Sequence, residues 1–257
     1  MKPANTVKPH KDYRVAPTDS GRILRGMVLM KIVCVVGISL VGLRADLVAE
    51  PAPGAPATTL RDEGVDLLSA PLEESWSFFS EGDSETRMAD VWQLRDGVLV
   101  CKGSPKGGLW LKQDVGDFTL RLEWRWPVAG KEGKGGVLLR AVGPWKLWPK
   151  SLEAQLNAGD AGDFWGLGGY SLDGPETRKK TVDHPQFGKL THLAKTAARE
   201  KPAGEWNQYE IVVAGPVVTL KVNGEVVNRA VKCDVTPGRI CLTAEGHEIH
   251  FRKLRLN

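Results

Sequence analysis

The chain contains 257 residues, of which 42% are hydrophobic, 26% are charged and 29 are glycine. This composition is typical of a globular protein and excludes a collagen-like, coiled-coil or wholly disordered chain. Residues 1–49 contain eight Lys or Arg and three Asp, which leaves 27 basic and 28 acidic residues in the rest. The positive net charge of +4 therefore comes from the first 49 residues, and the remainder lacks the basic character that nucleic-acid binding requires.

An uncharged apolar run, Ile32–Leu43, follows a basic stretch near the start of the chain. About a dozen residues are too few for a membrane-spanning helix, which needs about 20, but they match the apolar region of a signal peptide. We therefore predict that residues 1–49 are a leader that is cleaved after Ala49. The mature protein is then exported to the periplasm, the cell envelope or the medium, with no stable membrane span. An uncleaved anchor is the alternative.

Residues 50–59 are rich in proline and alanine, which is typical of an extended linker. We place the linker at residues 50–73 and one folded domain at residues 74–257. The four cysteines include Cys233 and Cys241, which flank a Thr-Pro-Gly turn and could pair in an exported protein. We favour the alternative that these two and Cys101 are small buried strand residues.

The folded part consists of short strands separated by turn signals. Phe118–Trp126 alternates strictly between apolar and polar residues, as a strand with one buried face does. Asp96-Gly97 and Asn223-Gly224 are typical hairpin turns. Helical patterns are weak, and only residues 192–200 could form a short helix. These features predict an all-β sandwich of two antiparallel sheets.

Residues 157–204 do not follow this rhythm, because eleven glycines and prolines interrupt the segment. So long an irregular segment in a compact domain is usually functional. We predict that it forms a lid or rim over one face of a sheet.

Several segments in succession resemble the 3-keto-disaccharide hydrolase domain family. They are Gly97–Lys112, Gly116–Arg125, Gly136–Arg140, Leu152–Gln155, Gly204–Ile211, Val222–Gly224, Gly238–Gly246 and Ile249–Arg252. The resemblance covers roughly residues 76–257. It implies a concanavalin A-like jelly-roll sandwich, an exported location and action on glycosides oxidised at C3. Two segments depart from the usual family pattern: Lys134-Gly135-Gly136 replaces Asn-Ser-Gly, and Leu242–Gly246 lacks a polar side chain before its glutamate.

Polar residues of the predicted strands suggest a sugar site, because carboxylates, amides and guanidinium groups bind hydroxyls while aromatic rings stack on sugar rings. Glu153 and Gln155 are two residues apart and so point to the same face of a strand. The candidate catalytic residues are Glu153, Arg140, Glu245 and Glu123. The candidate substrate-binding residues are Gln155, Trp110, Trp165 and Trp148, with Trp145 as a further aromatic platform.

A ketone at C3 of a sugar acidifies the hydrogen on C2, so that a base can remove it and the group at C1 can leave. We expect Glu153 to be the base, Arg140 to stabilise the enolate, and Glu245 or Glu123 to be the acid. Direct displacement by two carboxylates is an alternative mechanism. Glu123, between two arginines, and Arg140 can instead be members of structural ion pairs.

Two further possibilities remain open at this point. A divalent metal is conceivable, with Asp183, His184 and His192 as ligands, although no residue spacing supports it and no cofactor is firmly expected. The same sandwich could also be a lectin-like binding module or a structural protein of the cell envelope without catalytic activity. An oligosaccharide or glycoside is the expected ligand in the first two cases.

Overall fold

The computed structural model describes residues 64–82 and 84–257. The predicted leader and most of the predicted linker therefore lie outside the described residues. No helix in the described part of the chain is long and apolar enough to cross a membrane.

The described chain contains sixteen strands and two helices of one turn each. The helices are α1 (Leu72–Ser75) and α2 (Met88–Val91). In chain order the strands are β1 (Val65–Asp66), β2 (Trp76–Ser80), β3 (Trp92–Arg95), β4 (Val98–Cys101), β5 (Gly107–Leu111), β6 (Phe118–Arg125), β7 (Gly136–Val142), β8 (Lys150–Gln155), β9 (Phe164–Leu167), β10 (Lys179–His184), β11 (Gly188–Leu193), β12 (Asn207–Ala214), β13 (Val217–Val222), β14 (Glu225–Ala230), β15 (Arg239–Ala244) and β16 (Ile249–Leu256).

These strands form two antiparallel sheets of eight strands each, which confirms the predicted sandwich. The first sheet has the order β14-β13-β12-β6-β16-β4-β3, with β1 paired to β16. The second has the order β10-β11-β9-β8-β7-β15-β5-β2. The predicted turns at Asp96-Gly97 and Asn223-Gly224 join β3 to β4 and β13 to β14.

The main hydrophobic core fills the space between the two sheets. The alternation predicted for β6 is confirmed, since Leu120, Leu122 and Trp124 are fully buried in this core. Leu152 and Ala154 of β8 reach the same core from the second sheet. Because side chains alternate along a strand, the residues between them must point to the opposite, outer face of that sheet.

The sandwich begins earlier in the chain than the sequence indicated. Val65 and Asp66 pair with Leu256 and Arg255 of β16, and Leu72 is buried in the core. Residues 64–73 are therefore part of the sandwich and not of the linker.

The segment 157–204 is more regular than predicted. It contains β9, β10 and β11, which extend the second sheet to one edge, and residues 192–200 form no helix. Strand β10 lies at the edge and is mostly exposed, so its sequence lacks the alternation that reveals a half-buried strand. Its register with β11 is continuous from Lys179 opposite Leu193 to His184 opposite Gly188.

Cys101, Cys233 and Cys241 are all free and buried. This agrees with the favoured prediction, and no bond joins Cys233 to Cys241. Burial raises the pKa of the Cys101 and Cys233 thiols to about 12, so both are held as neutral thiols.

Candidate active site

The candidate site lies on the outer face of the second sheet, where one row of paired residues crosses six strands. Trp110 on β5 is opposite Cys241, which is opposite Leu138 on β7, and Leu138 is opposite Glu153 on β8. The row continues through Trp165 on β9 to His192 on β11. Since all pairs in a row share a face, Trp110 and Trp165 lie on the same face of the sheet as Glu153.

A cleft with a volume of about 320 Å³ opens above the middle of this row. It is lined by Lys106, Lys134, Trp148, Glu153, Gln155, Asn157, Trp165, Leu167, Gly168, His184, Phe187, Leu190 and Glu245. The structure therefore brings together five of the eight predicted site residues: Glu153, Glu245, Gln155, Trp148 and Trp165. The prediction that Glu153 and Gln155 share a face is confirmed.

Glu153 is a carboxyl group at the bottom of the cleft, with only 5% of the residue exposed. Within the described residues, no protein group donates a hydrogen bond to it. Burial, and secondarily the charge of Glu245, raise the pKa of Glu153 well above its ordinary value. A buried carboxyl of this kind remains protonated when ordinary surface glutamates are ionised.

Glu245 follows β15 and is the second carboxyl group of the cleft. Burial raises its pKa, but hydrogen bonds from Thr243 and Trp148 and the charges of Lys134 and Lys106 oppose that rise. The Thr243 hydroxyl lies 2.8 Å from Oε1 of Glu245. Glu245 thus has the support for a negative charge that Glu153 lacks.

The charge of Glu245 helps to raise the pKa of Glu153, and the groups around Glu245 favour its charged form, so the pair favours a proton on Glu153 over one on Glu245. A neutral acid beside a stabilised carboxylate is the arrangement that general acid–base catalysis requires. Two titratable groups whose environments separate their proton affinities, in a cleft, mark a candidate active site.

Gln155 is held in one orientation by Trp165. The indole Nε1 of Trp165 donates a hydrogen bond to Oε1 of Gln155 at 2.9 Å, so the Gln155 amide group presents its NH₂ elsewhere. His192 stacks on Trp165 with ring centroids 4.3 Å apart, and Asp163 lies 2.7 Å from Nε2 of His192. A chain of contacts from Asp163 therefore fixes the amide donor of Gln155.

Aromatic side chains form one wall of the cleft. Trp148 comes from the loop between β7 and β8, and Phe187 from the turn between β10 and β11. Their rings meet edge to face at 5.1 Å, and His184 stacks on Phe187 at 4.6 Å. The segment 157–204 thus supplies part of the cleft rim, as the sequence suggested, through an ordered hairpin.

Arg140 does not line the cleft, and its predicted role as enolate stabiliser is wrong for this geometry. Its guanidinium group binds Asp117 at 2.7 Å and donates to the backbone carbonyls of Gly116, Gly215 and Asp234. These partners belong to loops at one end of the sandwich. A β-bulge between Leu139 and Val142 breaks the alternation of β7 and turns Arg140 towards them. Arg140 is thus a buried structural clamp.

Glu123 also lies outside the cleft, on β6 of the other sheet. Its carboxylate binds Nε of Arg252 at 2.5 Å and Nζ of Lys253 at 3.0 Å. The prediction that it acts as the acid is therefore wrong, because the two sheets and the core separate it from Glu153. The ion-pair alternative describes it correctly.

Trp110 and Trp145 lie on the same outer face but line a second, smaller cavity. Trp110 is 4% exposed and packs with Leu138 and Cys241. Trp110 therefore does not reach the cleft that holds Glu153, contrary to its predicted place in one common site.

The residues considered as metal ligands do not converge. Asp183 is exposed, His184 accepts hydrogen bonds from the backbone N–H groups of Gln186 and Phe187, and His192 pairs with Asp163. Within residues 64–82 and 84–257, no group of three or more His, Cys, Asp or Glu side chains is arranged to bind a metal ion.

The sequence patterns do not indicate Lys106, Lys134, Asn157 and Phe187, which also line the cleft. In the sequence, the only sign of Lys134 is that Lys134-Gly135-Gly136 replaces the Asn-Ser-Gly of the usual family pattern. The other three lie in loops or turns, where no periodic signal indicates the direction of a side chain.

Comparison with known proteins supports this architecture. The fold resembles LamAcat from Zobellia galactanivorans with a TM-score of 0.50 and 13% identity, covering 74% of this chain and 95% of that one. It also resembles the β-glucanase of Bacillus licheniformis (TM-score 0.47, 12% identity, 74% and 94% covered) and the carbohydrate-binding module CBM66 from Bacillus subtilis (TM-score 0.49, 10% identity, 71% and 95% covered). The match to LamAcat, together with the two antiparallel sheets, confirms the predicted concanavalin A-like sandwich fold.

None of the curated proteins compared with the chain matches its sequence. The 3-keto-alpha-glucoside-1,2-lyase-like domain matches residues 70–257, which include every strand except β1 and every residue of the cleft. Because this match covers most of the chain, the protein belongs to the 3-keto-alpha-glucoside-1,2-lyase-like domain family, a family of carbohydrate-acting domains, as its sequence motifs predicted.

Proposed function

We propose that the protein cleaves the glycosidic bond of glycosides that carry a ketone at C3, by elimination across C1 and C2. The observation that supports this most directly is the interacting pair of buried carboxyl groups, Glu153 and Glu245, in a cleft of suitable size. The family description names a 1,2-lyase of 3-keto-alpha-glucosides, which matches the same chemistry.

In the proposed reaction the carboxylate of Glu245 removes the proton from C2, and the electron pair of that C–H bond forms the C1–C2 double bond. The C1–O bond breaks, and the proton of Glu153 moves to the departing oxygen. The products are an unsaturated 3-keto sugar and the free alcohol. Addition of water across the double bond would complete a net hydrolysis. These roles reverse the ones expected from the sequence, because the hydrogen bonds and cations described above surround Glu245 and not Glu153.

Negative charge develops on the C3 oxygen as the C2 proton leaves, so the site needs a donor there. The Gln155 NH₂ group supports this role because Trp165 occupies its carbonyl oxygen. Lys134 and Lys106 add positive charge at the cleft, in place of the guanidinium group that Arg140 does not provide. The aromatic wall of Trp148 and Phe187 offers apolar surface for the C–H face of a sugar ring.

The experiment compares a 3-keto glucoside that carries a chromogenic aglycone with the same glucoside before oxidation. We expect release of the aglycone from the oxidised compound only, and transient absorbance of a conjugated enone. Glu153→Gln and Glu245→Gln should each abolish release, whereas Glu123→Gln, on the other sheet, serves as the matched control and should retain it. Binding of the glycoside without release in the unaltered protein would contradict the proposal and favour a lectin-like module.

The basic and apolar pattern of residues 1–49 further supports a protein that acts after export. Cell fractionation of the full chain, with an Ala49→Trp variant to block cleavage, tests this part separately.

A further inference from the structure

A second cavity on the outer face of the second sheet has no part in the chemistry proposed above. Its volume is about 210 Å³, and it is lined by Trp110, Asp114, Ala141–Trp145 and Arg239. The rings of Trp110 and Trp145 meet edge to face with their centroids 5.6 Å apart, and the guanidinium group of Arg239 lies 4.6 Å from the Trp145 ring centre. Asp114 approaches Arg239 at 3.6 Å. An aromatic ring beside a carboxylate and a guanidinium group can stack on a sugar and bind its hydroxyls.

Packing of the sandwich does not account for the large exposed fraction of the Trp145 side chain. Trp145 is 42% exposed, while the other large exposed hydrophobic residues of the described chain are all valines. Burying part of an aromatic side chain of this size would be favourable, so its exposure marks a surface suited to a ligand. Asp114 and Arg239 keep 63% and 33% of their side chains accessible. Their polar groups are therefore available to a ligand in the cavity.

The distance between this cavity and the cleft suits an oligosaccharide. Three strand-to-strand steps separate Trp110 from Glu153 in the row that crosses the sheet. At about 4.8 Å a step, the two residues are about 14 Å apart. This is longer than one sugar ring and comparable to a short chain of linked sugars.

One loop connects the two cavities. Residues 143–149 carry Trp145 into the second cavity and Trp148 into the cleft. Trp148 also packs against the apolar group of Trp110, Leu138 and Cys241 that lies between the cavities on the sheet. This apolar group is buried, with Leu138 and Cys241 at most 1% exposed, so the 143–149 loop with its two tryptophans is the part of the surface that reaches both cavities.

We propose that the second cavity is a distal sugar-binding subsite, in which Trp145 stacks on a sugar unit remote from the bond that is cleaved. Asp114 and Arg239 bind hydroxyl groups of that unit. This inference rests on the proposed function, and it specifies the substrate as an oligosaccharide whose keto-glucosyl end occupies the cleft.

The test compares two 3-keto glucosides, one with a methyl aglycone and one with a trisaccharide aglycone. We expect Trp145→Ala to lower kcat/KM about tenfold for the long substrate, the loss of one stacking contact, and to leave the methyl substrate unchanged. Trp145→Phe should restore most of the loss. Lys146→Ala, an exposed neighbour in the same loop, is the matched control and should leave both substrates unchanged. Equal effects of Trp145→Ala on both substrates, or none on either, would overturn the subsite.

A binding measurement separates this proposal from the proposed function. If the unaltered protein cleaves neither substrate, the proposed chemistry fails, while the subsite can still be examined by calorimetry with α-linked and β-linked glucose tetrasaccharides. Binding of either tetrasaccharide that Trp145→Ala weakens about tenfold would support the subsite. Absence of binding, or binding that the substitution does not change, would refute it.

Discussion

A Cβ atom on Gly136 would lie 2.3 Å from Oε1 of Glu153. Gly136 stands opposite Gln155 in the register of β7 and β8, and its lack of a side chain leaves the space that the Glu153 carboxyl group occupies. The sheet therefore accommodates this acid through a glycine on the neighbouring strand.

Gly136→Ala should displace the Glu153 carboxyl group without unfolding the sandwich. We expect kcat/KM for a 3-keto glucoside to fall by about 100-fold, since a displacement of about 1 Å at a catalytic group has effects of that order. Gly135→Ala is the matched control, because its new Cβ atom would make ordinary contacts of 3.6 Å. Comparable losses in both variants would contradict this role of Gly136.

Glu153→Gln should stabilise the folded protein while it abolishes activity. The pKa of Glu153 is raised in the folded state, so the folded protein binds more protons than the unfolded chain once the pH exceeds the ordinary value of 4.5. The wild-type free energy of unfolding therefore decreases as the pH rises through that range, and the amide removes this loss. Thermal unfolding should show a gain of at least ~2 °C at pH 8 and little or none at pH 4.

Glu123→Gln provides the contrast for that experiment. It weakens the pairing of the buried Glu123 carboxylate with the partly exposed Arg252 and Lys253, so it should destabilise the protein at pH 8. A Glu153→Gln variant that is less stable than the wild type at pH 8 would show that the carboxyl group is not strained by burial.

Trp165→Phe should release the Gln155 amide group while keeping an aromatic ring against His192. Loss of one neutral hydrogen bond predicts a decrease in kcat/KM of about fivefold. The decrease should vanish when the substitution is made in a Gln155→Met background, because the two residues act through the same hydrogen bond. Additive losses in the double variant would mean that Trp165 acts independently of Gln155.

Arg140→Lys should reduce stability and not chemistry. The lysine cannot replace the guanidinium contacts to Asp117 and three backbone carbonyls, so we expect a loss of about 3 kcal/mol in the free energy of unfolding by urea. At a temperature where the variant remains folded, kcat for the methyl 3-keto glucoside should match the wild type. A large decrease in kcat would show instead that Arg140 takes part in catalysis.

Lys134→Met should move the pH dependence of the reaction. The charge of Lys134 lowers the pKa of Glu245, so its removal allows that pKa to rise further. The acidic limb of the kcat/KM profile, which reports ionisation of the base in the free enzyme, should shift to higher pH. Lys131→Met, in the same loop but outside the cleft, should leave the limb in place. A shift to lower pH in Lys134→Met would contradict the assignment of Glu245 as base.

The parts of the fold that local patterns encode could be predicted from the sequence. The strict alternation of β6 and the shared face of Glu153 and Gln155 follow from the period of a strand, and both are confirmed. Arg140 could not be placed in this way, because the bulge in β7 interrupts that period and redirects its side chain. Strand β10 was missed because an exposed edge strand carries no apolar face.

Contacts between distant parts of the chain determine which residues line the cleft. Lys106, Phe187 and Glu245 meet only because β5, the β10–β11 hairpin and β15 belong to one sheet. Their sequence separation exceeds any local period, so spacing alone could not reveal them. The proton affinities of Glu153 and Glu245 likewise depend on burial that only the assembled sheet creates.

Glu153 belongs to the interior of a sheet, whereas Trp145, Trp148, His184 and Phe187 come from loops or a hairpin end at the surface. Insertions, deletions or exchanges in those surface segments can therefore alter which glycosides are accommodated while the acid keeps its place. Proteins that share this fold can therefore differ in specificity while they keep the same chemistry.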